Sequence, residues 1–370
     1  MGDRHHTSVQ PNGDNRLHQG GRPRVPDLPF PPTTLVGQER PVAELAELLA
    51  RPSVRLVTLT GAGGIGKTRL ALALARSFAG EAAMVPLAPV ADPALIPLAI
   101  LQAIGVTPTG SQPMDRALDD ALRDRDLLLV LDSVEHLLPG TPVVIDLLGA
   151  YPRLTALATS RTRIGLSGEH VVAVEPLETP NPVSLPPLEH LAAMSSVRLF
   201  VSRAQAIDPA FGLNERNAEA IATICHQLDG LPLAIELAAA RCRVLSPQEL
   251  ARRLERRLEV LTGGPIDAPQ RHRTMREAIS WSHELLSPEE QRMFRRLAVF
   301  EGGASLGAIS AVAGSLNGAD AGDAVVDLVS ALVDHNLVTP VETADDEEPR
   351  IDIAGAIREL ALERLSASDE

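Results

Sequence analysis

The chain has 370 residues, 45% of them hydrophobic and 22% charged, and carries a net charge of −14. That length allows two or three domains, while the acidic balance works against sequence-independent binding to nucleic acid or anionic membrane, both polyanions. No apolar run reaches the ~18 residues of a membrane span and no apolar leader core is present, so a cytoplasmic location is expected.

Aromatic residues make up only 2% of the chain, so its cores must be built from Leu, Ala, Val and Ile, a mixture that favours helix. Cys225 and Cys242 stand in no metal-ligand spacing and read as small buried hydrophobes, with a disulfide as the lesser alternative. Lys67 is the one lysine; every other strong base is arginine. A bias toward arginine accounts for the background. The surviving lysine marks a candidate site where a compact ammonium serves and a planar fork does not.

Residues 1–32 are rich in Gly, Pro, Asn, His and Arg, have no apolar period, and read as a disordered tail. Glu39–Ala50 has the pattern of an amphipathic helix. Val54–Thr60 is an apolar, β-branched strand candidate that runs into a glycine-rich turn and a helix at Ile65–Ala79. Further strands are expected at Ala83–Leu87, Leu127–Asp132, Leu154–Ser160 and His170–Val174. Helices are expected at Pro93–Ala103, Asp115–Arg123 and Val134–Leu148. This alternation implies a parallel, doubly wound α/β sheet.

A Pro-rich linker at Glu178–Pro187 ends the α/β part. Helices follow at Met194–Ala206, Glu215–Leu228, Pro232–Arg243 and Pro247–Leu261, up to a Gly/Pro break at Gly263–Gln270. The last unit combines helices with a hairpin, Leu337–Val341 and Arg350–Ile353, around the acidic tip Asp345–Glu348. That combination suggests a winged helix. The expected organisation is a tail (1–32), a P-loop nucleotide-binding domain (33–178), a helical domain (179–268) and a winged-helix domain (269–370).

Gly61–Thr68 reads GAGGIGKT, a complete G-x-x-x-x-G-K-[ST] match between a buried strand and a helix. Glycines let backbone N–H groups curl around phosphate oxygens, and the helix N-terminus adds partial positive charge. Gly61, Gly63, Gly64, Ile65, Gly66, Lys67, Thr68 and Arg69 are therefore candidate nucleotide contacts. Lys67 would reach the β- and γ-phosphates and the Thr68 hydroxyl would ligate Mg²⁺.

Asp132 ends a buried strand and is the candidate second metal residue; an Asp capping the next helix would look the same. Glu135 either orients an attacking water or is a first-turn glutamate favoured by the helix dipole. Arg161, at the carboxyl end of another strand, is placed to sense a γ-phosphate; the plain alternative is a surface arginine. A guanine-reading N-K-x-D loop would need a second lysine, so adenine is favoured.

LVGQER (Leu35–Arg40), GLPLA (Gly230–Ala234), the segment Arg273–Leu306 and IRELALERL (Ile357–Leu365) follow one another in order. Together with the P-loop, Asp132 and the TSR at Thr159–Arg161, this series resembles the STAND NTPases. It is most similar to the NB-ARC-type ATPase modules of large bacterial transcriptional regulators, over about residues 33–368.

The resemblance implies three domains closing over one ATP or ADP with Mg²⁺. It places Val36 and Gly37 at the adenine, Pro232 on the base or ribose, and Arg161 as the sensor arginine. It also implies a switch that ADP holds closed and that ATP opens toward a protein partner or self-association. The chain departs from the family pattern at Gln38, at Ser133, and at Ala354–Ala356, the segment corresponding to the winged-helix latch near the ADP phosphates. Slow or residual hydrolysis is the expectation.

An alternative is a regulator that binds DNA through its own winged helix. Residues 270–370 hold nine arginines against nineteen acidic residues, which argues against it. With no effector domain before residue 33 and no sensor repeats after 368, the sequence reads either as a standalone module or as part of a larger regulator.

Overall fold

The computed structural model describes residues 25–30, 33–108, 112–265, 269–313, 321–341 and 350–368. All five expected strands form: β1 Leu56–Thr60, β2 Glu81–Pro86, β3 Leu127–Asp132, β4 Leu154–Thr159 and β5 Glu169–Ala173. They pair in parallel in the order β2-β3-β4-β1-β5.

Helices cover both faces, as an all-parallel sheet requires. α1 (Glu39–Leu49) and α2 (Lys67–Ser77) lie on one side; α3 (Ile96–Ala103), α4 (Met114–Leu122) and α5 (Pro142–Ala150) lie on the other. β3 displays the two-residue period directly: Leu128 and Val130 join the core containing α1 and α2, whereas Leu127, Leu129 and Leu131 join the core containing α3 to α5. This is the α/β P-loop NTPase fold, followed by a helical region.

β4 lies between the strand that leads to the P-loop and the strand that ends at Asp132. Its terminal Thr159 is level with Leu59 on one side and Asp132 on the other. The carboxyl ends of three strands thus form one ledge, where ligands of open α/β sheets bind.

Two expectations for this part need correction. The helix expected over Val134–Leu148 begins only at Pro142; Val134–Thr141 turns instead, with one 3₁₀ turn at Leu138–Gly140. Ser133 sits at φ 66°, a left-handed value that breaks the chain away from helix. Pro142 then starts α5 at the first helical position, where a missing N–H costs nothing. The tail expected to end at residue 32 is also shorter on its inner side. Val25 is 8% exposed and joins the α3–α5 core, and Arg76 donates to the Pro29 carbonyl at 2.6 Å. Residues 1–24 and 31–32 lie outside the described residues.

The helical region comprises α6 (Leu188–Ala193), α7 (Ser195–Gln205), α8 (Ala218–Gln227), α9 (Pro232–Arg241), α10 (Pro247–Arg253) and α11 (Arg257–Val260). Main-chain bonds tie it to the α/β part: Leu177 donates to Gly230 at 3.0 Å and Leu233 donates to Gly64 at 3.1 Å. Cys225 and Cys242 are free thiols, and burial pushes them up to about 12 and about 11.

The C-terminal region contains α12 (Met275–Glu284), α13 (Pro288–Leu297), α14 (Leu306–Ala313), α15 (Ala321–Asp334) and α16 (Gly355–Ser366). Ser287 and Glu290 form a reciprocal capping box at the start of α13. The expected hairpin is present as β7 (Thr339–Val341) and β8 (Arg350–Asp352), antiparallel, with β6 (Ala304–Ser305) added on the far side of β8. β6 is two residues long, too short to leave a sequence period. The acidic tip lies outside the described residues. Among the described residues, no helix is long and apolar enough to cross a membrane.

Candidate functional site

A cavity of about 340 Å³ opens on the ledge at the carboxyl ends of β1, β3 and β4. Its floor is the P-loop. Gly61, Gly64 and Gly66 take φ values of 149°, 83° and 101°, and α2 starts immediately after the last of them. A side chain at Gly64 would put its Cβ 2.7 Å from the Leu233 Cβ, so this glycine also admits the helical region.

Lys67 Nζ donates to the Gly61 and Ala62 carbonyls at 2.6 and 3.0 Å. Desolvation, and then the nearby Arg161 guanidinium, pulls its ammonium down to about 7, against the opposing pull of Glu135 and Asp132. The Thr68 hydroxyl donates to Asp132 Oδ1 at 2.6 Å, and the Thr159 hydroxyl donates to the same oxygen at 2.7 Å. Thr68 and Asp132 form an all-oxygen pair beside the phosphate cradle, a donor set that suits a hard divalent cation such as Mg²⁺.

Glu135 and Arg161 face each other beneath the cavity. The side chains are 5% and 3% exposed, with Oε1 and Nε 3.5 Å apart. Glu135 is thus a buried partner in a turn and not the first-turn surface glutamate of a helix. Its Oε2 has no hydrogen-bond partner, although a buried carboxylate oxygen normally finds one. Arg161 is likewise no surface residue. It donates to the Ala278 carbonyl at 2.9 Å and to the Ser282 hydroxyl, both on α12. Desolvation lowers its pKa to about 10.

The remaining expected residues divide. Arg69 lines the cavity and donates to Glu236 at 3.0 Å and to the Thr34 carbonyl at 2.7 Å. Pro232 lines it as well, at the first position of α9. Gly61 and Ile65 are buried in the loop base and do not line it; Val36 and Gly37 do not line it either. Gly37 packs so closely on Ser195 that a Cβ there would overlap it, and it opens on a separate groove with Gln38 and Glu39.

The segment Ala354–Ala356 does not reach the phosphate end of the cavity, contrary to what the resemblance implies. Gly355 instead donates its N–H to Asp229 at 3.1 Å and lies against Arg257, at the seam with the helical region.

Four lining residues escaped the sequence reading: Glu236, Pro265, Pro269 and Arg271. Arg271 donates to the Ser133 hydroxyl at 2.9 Å and stacks over Trp281, its guanidinium carbon 5.7 Å from the ring centroid. Arg271 stands between the Gly/Pro break and the motif Arg273–Leu306, in the short 3₁₀ turn Gln270–His272, where no period operates.

No family model matches the chain. It is 36% identical over 346 residues to the uncharacterized protein Rv0894 of Mycobacterium tuberculosis, covering 91% of this chain and 83% of that protein. The chain belongs to the Rv0894 family. A second M. tuberculosis relative, Rv0890c, provisionally named an HTH-type transcriptional regulator, is 40% identical over 325 residues, covering 85% of this chain and 34% of that protein. The Rv0894-family chain therefore spans about a third of the length of that regulator. Among solved structures it aligns with Cdc6p of Pyrobaculum aerophilum over 91% of this chain and 97% of that one, at 15% identity and a TM-score of 0.41. It also aligns with a STAND signal-transduction ATPase of Pyrococcus horikoshii that has a tetratricopeptide-repeat sensor, over 94% and 44%, at 16% identity and a TM-score of 0.35.

Proposed function

We propose that this chain is a regulatory switch that binds ATP or ADP with Mg²⁺, of the STAND class and NB-ARC type, with slow or residual hydrolysis. One observation carries the reading: Thr68, at the start of the P-loop helix, is bonded through its hydroxyl to Asp132 at the end of β3, beside Lys67 in the same cavity. A phosphate group supplies acceptors for the loop N–H groups and for Lys67, and the Thr68–Asp132 pair supplies oxygen ligands for the metal.

The division of labour follows from the wall residues. Lys67 and the loop bind phosphate. Thr68 and Asp132 would hold Mg²⁺, whose chemistry is to neutralise charge on the β- and γ-oxygens. Glu135, with one carboxylate oxygen unpartnered, is suited to orienting a water. Arg161 links the phosphate end to α12 and is the candidate sensor.

A switch, more than a fast ATPase, is favoured by where the C-terminal region sits. It supplies Pro269 and Arg271 to the cavity wall and accepts from Arg161, so the cavity is completed by a part of the chain remote in sequence from the P-loop. Domain boundaries at 33–178, 179–268 and 269–370, with a winged helix last, fit this reading. The partner in the ATP state is a protein or a second copy of the chain. The acidic balance of residues 270–370 argues against direct nucleic-acid binding.

The test is isothermal titration of the full chain with ATP, ADP and GTP, alongside Lys67→Ala. Adenine nucleotides are expected to bind in preference to GTP, and the variant to bind none. Unchanged affinity in the Lys67→Ala protein overturns the site; equal competition by GTP overturns the adenine assignment.

A further inference from the structure

Three arginines line the cavity: Arg69, Arg161 and Arg271. Two of them are paired with carboxylates, Arg69 sharing its partner with Arg203. Arg69 pairs with Glu236 at 3.0 Å and Arg161 with Glu135 at 3.5 Å. Arg271 has no carboxylate partner among the described residues. Its hydrogen-bond acceptor is the neutral Ser133 hydroxyl, and Trp281 supports its flat face. It comes from the segment that leads into α12 and not from the P-loop part of the chain.

Its position along the cavity is specific. Ser133 directly follows Asp132, the residue bonded to Thr68, so Arg271 stands on the Asp132 side of the cradle. It is also close enough to disfavour the charged forms of both Lys67 and Arg161. In a P-loop the backbone loop surrounds the β-phosphate, and the metal residues and the lysine extend toward the γ-phosphate. Arg271 therefore lies at the γ end.

We propose that Arg271 is the specificity-determining arginine that distinguishes a nucleoside triphosphate from a diphosphate in this cavity, exchanging the Ser133 hydroxyl for oxygens of the terminal phosphoryl group. The inference rests on the nucleotide-binding reading above. The exchange is favourable because guanidinium–phosphate bonds are charge-assisted and about twice as strong as neutral ones. Arg161 has a different part: held by Glu135 and α12 at 3% exposure, it relays phosphate occupancy to the C-terminal region, whereas Arg271 has a neutral partner that it can exchange for the ligand. With a diphosphate, Arg271 keeps its Ser133 bond. With a triphosphate, the segment before α12 is drawn onto the ligand, so the C-terminal region senses which nucleotide is present.

The experiment measures Mg²⁺-ADP and a Mg²⁺-bound non-hydrolysable ATP analogue on the full chain by titration calorimetry, for the unsubstituted protein, Arg271→Gln and Arg271→Lys. Arg271→Gln is expected to weaken the triphosphate by about tenfold or more while leaving ADP within about twofold, and Arg271→Lys to recover part of the loss. The retained ADP affinity reports that the variant is folded, and a merely structural role would not move the triphosphate-to-diphosphate ratio. An equal effect on both ligands, or on neither, overturns the inference while leaving the binding site intact. Failure of the unsubstituted protein to bind either nucleotide overturns the reading beneath it, and this inference with it.

Discussion

The Thr68 hydroxyl bonds to Asp132 at 2.6 Å across 64 residues of sequence and across an intervening strand. Thr159 at the end of that strand bonds to the same carboxylate oxygen at 2.7 Å and also accepts from the Ser133 N–H at 2.9 Å. A single threonine thus sets the height of the candidate metal residue and the start of the turn after it.

Thr159→Val keeps the shape and removes both bonds. It is expected to lower stability by about 1–3 kcal/mol, because a buried acceptor and a buried donor each lose a partner. Mg²⁺-dependent nucleotide affinity should fall with it. Urea unfolding checks the first part, and an unchanged midpoint would sink the argument.

Lys67 gives a pH dependence. Desolvation and the Arg161 charge hold its ammonium at about 7 against an ordinary 10.5. Between those values the unfolded chain keeps a proton that the folded chain has released, so stability rises as pH climbs from about 7 to about 10.5. Below about 7 both states carry the proton and the unfavourable contribution is constant. Phosphate favours the ammonium, so nucleotide binding should take up a proton above pH 7, and affinity should fall as pH rises. Calorimetry at about pH 8 in two buffers of different ionisation enthalpy reads this directly, with proton uptake approaching one per site; zero uptake is the contrary result.

Ser133 pays for its left-handed φ of 66°. Asn visits that region more readily than Ser. Ser133→Asn should therefore raise stability by about 0.5–1 kcal/mol while its amide oxygen still accepts from Arg271. A lowered melting temperature would count against this account of the turn.

Gly230→Ala should be costly. The glycine has φ 65°, and a Cβ there would overlap the Leu177 carbonyl, whose own N–H is donated to Gly230. A loss of about 2–4 kcal/mol is expected, together with weaker nucleotide binding, because the same motif carries Leu233 against Gly64. Wild-type stability in this variant would show that the close approach is not needed.

Much of this was legible in the sequence, for physical reasons. The strands β1, β3 and β4 are buried on both faces and read as apolar runs; the P-loop glycines are required by φ values that other residues avoid. What failed to read was what depends on tertiary contact. Glu135 has the same local context whether it caps a helix or is buried against an arginine, and only the position of Arg161 decides. Arg271 lies directly after a Gly/Pro break, in a single 3₁₀ turn whose direction is set by packing and not by period. The latch segment at Gly355 was misplaced because sequence order carries no information on which seam a loop enters.

The lone lysine has one further consequence. Desolvation pulls its ammonium down to about 7, which favours the neutral amine, and a neutral amine is a nucleophile. An acylating ester that spares guanidinium groups would therefore find one side-chain amine in these 370 residues, and it lies inside the cavity. Modification at Lys67 would report directly on whether that cavity is covered, without any dye or engineered label.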